Sequence, residues 1–134
     1  MKRRHKEEQD NYLTEREAMV MRCIWDKGEE ISSLEIQQKL QEETGLQFER
    51  TTIATYLLHL QEKNFIEREK KGQVYYYRPL KEKNQYVQNE VRKTTEQWLA
   101  GSLPELVAAF VQSGAEISPE ELQKVKELID GLDQ

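Results

Sequence analysis

The sequence is poor in the residues that carry most enzyme and metal chemistry. Its 134 residues include one cysteine, Cys23, and two histidines, His5 and His59. A single cysteine excludes an internal disulfide and a multi-cysteine metal cluster, and the sequence shows no nucleophile triad and no phosphate-binding glycine loop. Cys23 lies in a helical pattern, which is typical of a buried free thiol. We therefore expect no enzyme activity, no metal site and no cofactor.

Long apolar runs are scarce as well. The longest plainly apolar stretch is LVAAFV at 106–111, which is far too short to cross a bilayer. The N-terminus MKRRHKEEQDN has no apolar segment behind its charges, so no signal peptide is visible. We therefore expect a cytoplasmic protein that does not insert into a membrane.

The charges are unevenly distributed along the chain. The net charge of −5 argues against indiscriminate nucleic-acid binding. Residues 82–134 hold 5 Lys or Arg against 10 Asp or Glu, which accounts for the whole net charge. Positive charge is concentrated in residues 1–6 and 63–81. We expect these two segments to face an anionic partner and the acidic half to face elsewhere.

The first eighty residues predict three helices followed by a β-hairpin. Thr14 with Glu17, and Ser32 with Glu35, form two capping boxes that begin the first and second helices. This order is typical of a winged helix-turn-helix domain. The predicted elements are helices over about 14–26, 32–44 and 49–63, a short strand at Ile31, and two strands in FIEREKKGQVYYYRPL about a Lys71-Gly72 turn.

The C-terminal part predicts one-sided helices that need a partner surface. A long helix over 82–99 is followed by two shorter helices that begin at Ser102 and Ser118. These helices are too short and too one-sided to form a stable unit alone, and closed two-fold dimers are the commonest oligomers. We therefore expect a homodimer held by Trp98, Leu99, Leu103, Leu106, Val107, Phe110, Leu122, Val125 and Ile129. The expected domains are a flexible basic tail (1–11), a winged-helix DNA-binding domain (12–81) and a helical dimerisation domain (82–134).

The third helix, RTTIATYLLHL at 50–60, has two different faces. At 100° per residue its apolar residues cluster on one side, and Thr51 and Thr55 lie opposite them. Short hydroxyl side chains suit close approach to phosphates and bases. Leu58 could contact thymine methyl groups or pack against the wing, and His59 favours a polar contact over a metal. The core side is predicted to hold Ile53, Tyr56, Leu57 and Leu60.

Five segments, in this order, carry a resemblance to a known family: LTEREAMVMRCIWDKGE, ISSLEIQQKL, TTIATYLLHLQEKNFIEREKKGQVYYYRPL, GSLPELVAAF and SPEELQKVKELID. With these segments the chain resembles the penicillinase-repressor (BlaI/MecI-type) family of winged-helix transcriptional repressors. The resemblance covers about residues 12–132. It implies a homodimer that binds a dyad-symmetric operator with TACA/TGTA-like half-sites and blocks transcription. Together with the basic hairpin, it assigns DNA contacts to Arg50, Thr51, Thr52, Ala54, Thr55, Leu58, His59, Arg68, Lys70 and Lys71.

The chain departs from the family pattern at several positions. Ala54, Leu58 and His59 stand where many members have basic or polar residues, which implies a weaker electrostatic grip by the third helix. The basic tail at 2–6 is expected to compensate, so its deletion should flatten the salt dependence of DNA binding.

The signal that releases the repressor is not readable from the sequence. In one branch of the family a membrane sensor protease triggers cleavage near an Asn-Phe bond in the dimerisation region. Here the corresponding residues 92–95 are Arg-Lys-Thr-Thr, and the one Asn-Phe pair is Asn64-Phe65. The cysteine cluster of the copper-responsive branch is absent. A sensor protease or another inducer-linked protein is the partner that this resemblance implies.

Two other function classes stay open at this point. A winged-helix protein-interaction module is favoured by the acidic balance and the sparse charge of the third helix. A small-molecule-responsive regulator would need a pocket between the two halves, which Tyr75, Tyr76, Tyr77 and Tyr86 could line.

Overall fold

The computed structural model describes residues 12–132, which form six α-helices and one three-stranded sheet. The predicted fold class, mainly α with a small β-hairpin wing, is confirmed. The predicted basic tail at 1–11 lies outside the described residues. In chain order the elements are α1 (Glu15–Lys27), β1 (Ile31–Ser32), α2 (Ser33–Thr44), α3 (Arg50–Glu62), β2 (Ile66–Lys71), β3 (Val74–Pro79), α4 (Lys83–Leu99), α5 (Leu103–Gln112) and α6 (Pro119–Gly131).

Both predicted capping boxes are formed. The backbone N–H of Glu17 donates to Thr14 Oγ1 at 3.2 Å, and the backbone N–H of Thr14 donates to Glu17 Oε1 at 2.9 Å. Ser32 and Glu35 repeat this arrangement at the start of α2. Because each box satisfies two backbone N–H groups that a helix start leaves open, the first two helices begin where the sequence predicts.

The sheet has the strand order β1-β3-β2 and is antiparallel throughout. Lys71 pairs with Val74, so the hairpin turn consists of Gly72 and Gln73 rather than Lys71 and Gly72. The prediction of a Lys71-Gly72 turn was therefore wrong by one residue. Gly72 has φ 65°, and turns that join two strands so closely require positive φ, which glycine adopts without strain.

The chain divides into two compact units, one ending at Val87 and one beginning at Gln88. In unit 1, α1, α2 and α3 pack around one apolar core that the start of the wing closes. Tyr86, in the first turn of α4, packs its ring 5.4 Å from that of Phe65 and 5.8 Å from that of Trp25. The buried core consists of Leu13, Val20, Met21, Cys23, Ile24, Ile31, Ile36, Leu40, Ile53, Leu57, Leu60, Phe65, Ile66 and Tyr77.

Unit 2 contains the rest of α4 with α5 and α6. Ser102 and Ser118 accept hydrogen bonds from the backbone N–H groups of Glu105 and Glu121, so both serines cap the following helix as predicted. None of the described residues at 88–132 is buried within the single chain. In the part of the chain that the structure describes, no helix is long and apolar enough to cross a membrane.

Candidate nucleic-acid interface

Helix α3 presents two chemically different faces. Ile53, Leu57 and Leu60 are buried against α1 and α2, and Tyr56 is half-buried with its ring nearly perpendicular to that of Phe48. These are the residues predicted for the core side. The other side is open to solvent, with Thr52 half-buried at its edge. Its exposed residues are Arg50, Thr51, Ala54, Thr55, Leu58 and His59. Unit 1 therefore holds α3 by one side and leaves a polar, nearly uncharged surface open.

The hydroxyl group of Thr55 is already oriented. Thr55 Oγ1 donates to the backbone carbonyl oxygen of Thr51 at 3.0 Å, one turn earlier on α3. Since a hydroxyl group has one hydrogen, this bond leaves the Thr55 oxygen able to act as an acceptor. A partner group that meets Thr55 would therefore have to donate, as the amino groups of adenine and cytosine do in the major groove.

Leu58 and His59 have different surroundings although they are neighbours. Leu58 is 52% exposed, so the wing does not bury it, and its side chain is available to an apolar group. His59 makes a polar contact, because its Nδ1 lies 3.6 Å from Glu17 Oε2. Within residues 12–132 no group of three or more potential ligands could hold a metal ion.

The wing separates its cations between two faces. The strand register places Lys70 opposite Tyr75 and Arg68 opposite Tyr77. The guanidinium of Arg68 lies 4.3 Å from the Tyr75 ring centroid, and the ammonium of Lys70 lies 5.7 Å from it, which are cation–π distances. The stacked pair of Arg68 and Lys70 therefore forms the basic surface of the wing.

The other wing cations face acidic side chains. Lys71 forms an ion pair and hydrogen bond with Glu30, and this hydrogen bond raises the pKa of Lys71. Arg78 lies 3.1 Å from Glu67 and 3.6 Å from Glu69. Of the three wing residues predicted to contact DNA, Lys71 is thus already paired, which sequence reading could not show.

A cleft of about 580 Å³ lies between α2, the first half of α3 and β3. Arg50 and Ala54 line it from α3, and Tyr75, Tyr76 and Tyr77 line it from the wing. Tyr86, which the sequence analysis offers as a further lining residue of a ligand pocket, is instead packed against Phe65 and Trp25. The three wing tyrosines therefore share a concave surface with the start of α3.

The Asn64-Phe65 pair lies at the end of α3, where Asn64 is exposed and Phe65 is buried. Asn64 has φ 62° in the turn between α3 and β2, and Phe65 is fully buried. Its ring lies 3.9 Å from the Lys81 ammonium. A protease that must bind the Phe65 side chain would therefore have to open this part of unit 1.

The residues predicted for dimerisation are mostly exposed in the single chain. Trp98 is 73% exposed and Phe110 is 55% exposed, while Leu99 and Leu106 are half-buried. Burial of such side chains stabilises a protein by about 1.5–3 kcal/mol each, and unit 2 does not obtain this stabilisation from its own residues. The remaining members of the predicted set are also exposed, namely Leu103, Val107, Leu122, Val125 and Ile129.

Sequence analysis missed the buried carboxylate of Glu17, which lies at 2% exposure beneath α3. The capping box accounts for Glu17 by local hydrogen bonds alone and gives no sign of a distant partner. One signal was available, since Glu17 falls at helical spacing between the buried Leu13 and Met21 and therefore on the apolar side of α1. A charged residue on a core stripe usually has a partner.

An exposed polar helix beside a basic hairpin is the arrangement of a winged-helix DNA-binding protein. The penicillinase repressor family matches this chain over residues 13–131. The chain therefore belongs to the penicillinase repressor family and is a DNA-binding transcriptional regulator. The family's fold and activity are those of repressors rather than enzymes, and the resemblance given by the sequence motifs is confirmed.

Solved structures similar to this chain include two of BlaI. The solution structure of the BlaI DNA-binding domain is 30% identical, covering 53% of this chain and 83% of that chain with a TM-score of 0.46. The Bacillus licheniformis BlaI monomer in complex with the blaP half-operator is 27% identical, with coverages of 55% and 85% and a TM-score of 0.45. RosR of H. salinarum shares the fold at 19% identity, with coverages of 76% and 93% and a TM-score of 0.51. No curated protein matches the chain.

Proposed function

We propose that this protein is a homodimeric repressor that binds a dyad-symmetric operator. In each protomer α3 enters the major groove with the surface formed by Arg50, Thr51, Thr52, Ala54, Thr55, Leu58 and His59. Arg68 and Lys70 on the wing hold the neighbouring phosphates, with Lys71 at the edge. The observation that carries the proposal is the exposed, nearly uncharged face of α3 beside the basic surface of the wing.

The dimer is proposed to form through the residues from about 82 onwards. The apolar stripes of α4, α5 and α6 are uncovered in one chain, and a second copy is the partner that presents the same stripes. Two protomers would place two α3 helices one helical turn of DNA apart, so that each reads one half-site. The operator is reached in the cytoplasm, and a sensor protease or another inducer-linked protein would relieve repression by separating the protomers.

The test is binding of the purified full chain to two fluorescent duplexes across a salt series. One duplex carries TACA/TGTA half-sites in dyad arrangement, and the other carries the same bases scrambled. We expect tighter binding to the dyad, with two protomers per duplex. Equal weak binding to the dyad, to the scrambled duplex and to duplexes selected from a random pool would refute the proposal.

A second candidate, a small-molecule-responsive regulator, is favoured by the cleft of about 580 Å³. This volume lies within the usual range for ligand sites, which combine aromatic walls with a few polar groups. A small organic anion held by Arg50 and the wing tyrosines would cover part of the proposed DNA surface. Aromatic carboxylates added to the operator complex should then lower its anisotropy, and an unchanged signal at millimolar concentration would contradict this candidate.

A further inference from the structure

The carboxylate of Glu17 joins the first helix to the end of α3. Glu17 Oε1 accepts a hydrogen bond from Lys63 Nζ at 2.7 Å, and Oε2 lies 3.6 Å from His59 Nδ1. Lys63 Nζ also donates to the backbone carbonyl oxygen of Tyr12 at 2.8 Å. We call Glu17, His59 and Lys63 the Glu17 bridge. It connects the interior of unit 1 with α3 and with the residue that ends α3.

The Glu17 bridge is charged although its carboxylate is buried. Burial alone would raise the pKa of Glu17, but the hydrogen bonds from Lys63 and Thr14 outweigh it, so the pKa lies below its ordinary value. Glu17 is therefore ionised near neutral pH. Since a buried carboxylate without a partner is strongly unfavourable, the ammonium of Lys63 is required at its observed position.

This charged contact constrains α3 in a way that apolar packing does not. Ile53, Leu57 and Leu60 hold α3 against the core, but the hydrophobic effect has no direction and packed helices can shift by small rotations or translations. A charge-assisted hydrogen bond is short and directional. Because Lys63 follows α3 directly, its bond to Glu17 restrains the position of the end of α3 relative to α1.

His59 connects the buried Glu17 carboxylate with the exposed side of α3. Its side chain is 47% exposed, while that of Glu17 is 3% exposed. The imidazole Nδ1 faces the carboxylate, which leaves the rest of the ring on the exposed side of α3 next to Leu58. The ring that is predicted to meet DNA is therefore placed by a group that DNA cannot reach.

We propose that Glu17 is a positioning residue for DNA recognition, which orients the end of α3 through Lys63 and the His59 ring by direct contact, without touching DNA itself. This inference rests on the proposed function. Reading a base requires hydrogen-bond geometry, whereas contact with phosphates tolerates small displacements. Loss of the Glu17 bridge should therefore weaken binding to the operator more than binding to an unrelated duplex.

The test compares Glu17→Gln with Glu35→Gln in the full chain. Glutamine can serve in a capping box as glutamate does, so both variants keep their helix starts. Glu35 holds the corresponding place in the second box, but its nearest cation is Lys27 on α1 at 3.8 Å and it does not belong to the Glu17 bridge. We expect Glu17→Gln to bind the operator about tenfold more weakly, with unchanged affinity for a scrambled duplex, and Glu35→Gln to keep both affinities.

A second variant approaches the contact from the other side. Lys63→Gln removes the ammonium from a position that is 20% exposed, so it decides the matter if Glu17→Gln does not fold. Binding is measured at a temperature where circular dichroism shows each variant fully folded. The double variant Glu17→Gln/Lys63→Gln should bind the operator as tightly as whichever single variant binds it more weakly. Such non-additive effects would support positioning through Lys63.

The outcomes separate this inference from the proposed function. If the wild-type protein prefers the operator and both folded variants keep the same ratio of operator to scrambled affinity, Glu17 has a structural role alone and the inference is wrong. A lower unfolding temperature with an unchanged ratio has the same meaning. If the wild-type protein prefers no duplex, the proposed function fails and the inference fails with it.

Discussion

At the scale of the residue, the faces of α3 are decided one side chain at a time. Leu57 is 1% exposed and its neighbour Leu58 is 52% exposed. A rotation of about 100° between consecutive residues is enough to exchange core for solvent. The same residue type therefore has a role in stability at one position and a proposed role in binding at the next.

This difference gives a matched pair of substitutions. Leu57→Ala should lower the free energy of unfolding by about 2–5 kcal/mol, because it opens a cavity in the core. Leu58→Ala should lower it by less than about 1 kcal/mol, because an exposed side chain leaves no cavity, yet should weaken operator binding. Urea denaturation and anisotropy measure the two effects, and equal stabilities of the two variants would contradict the assignment of faces.

Cys23 gives a prediction about pH. Burial raises the pKa of its thiol from an ordinary value of 9.0 to about 11. The thiol of the unfolded chain therefore ionises first as the pH rises. The free energy of unfolding should fall between pH 9 and pH 11. The stabilisation that the protonated Cys23 thiol contributes is fully present below this range and is lost across it.

The measurement is urea denaturation of the wild-type protein and Cys23→Ala at several pH values. Tyrosines and lysines titrate in both proteins, so the difference between the two slopes isolates Cys23. The wild-type protein should lose more stability than the variant over this range. Parallel curves would show that the thiol is not protected in the folded chain.

Sequence reading at this scale succeeds for local patterns and fails for distant partners. Helical spacing placed Ile53, Leu57 and Leu60 in the core, because burial of a helix face repeats along the sequence. It did not show that Glu17 meets Lys63 or that Lys71 meets Glu30. Those pairs are brought together by tertiary folding, and their spacing along the chain carries no period.

At the scale of the element, the wing is a two-sided strand pair rather than a uniform basic hairpin. Side chains alternate between the faces of a strand, so Arg68 and Lys70 lie together with Tyr75, while Lys71 faces the other way towards Glu30. The density of positive charge in the sequence was readable, but the division between the two faces depended on the register of β2 with β3.

The salt dependence of operator binding should reflect this division. Each phosphate contact contributes about 0.9 to the slope of log affinity against log salt concentration. We expect the double variant Arg68→Ala/Lys70→Ala to lower the slope by about 1–2. Lys71→Ala should lower it less, because its ammonium is engaged by Glu30. A larger effect of Lys71→Ala, measured by anisotropy over the same salts, would show that this ion pair opens on DNA.

Element boundaries were the most readable part of the fold. Capping boxes at Thr14 and Ser32, and serines at 102 and 118, begin four helices where the sequence predicts. These signals are local hydrogen bonds between residues three apart, so they need no knowledge of the fold. The hairpin turn was displaced by one residue, since either Lys71-Gly72 or Gly72-Gln73 fits the sequence.

At the scale of the whole molecule, the two units differ in how much they bury. Unit 1 has a core of fourteen apolar residues, and unit 2 has no buried residue in its described part. The sequence indicated this difference, because the helices after residue 82 are short and apolar on one side only. Which surface covers each stripe could not be read, since the period of a stripe does not identify the surface that it packs against.

Self-association should therefore depend on α5. The double variant Leu106→Ala/Phe110→Ala should weaken the dimer by at least about tenfold, because both side chains would lose apolar contacts across the interface. Gln112→Ala on the same helix is the control and should leave the dimer unchanged. Sedimentation velocity over a dilution series measures both. A double variant that stays fully dimeric at nanomolar concentration would remove α5 from the interface.

The exposed apolar side chains of unit 2 also make the activity of the proposed dimer depend on the concentration of the protein in the cell. The proposed dimer assembles by mass action, so its concentration varies with the square of the concentration of chains when dimers are few. Halving the concentration of chains would then lower the concentration of dimers about fourfold. Such a repressor would respond to its own abundance more steeply than a monomeric regulator would, even before any inducer arrives.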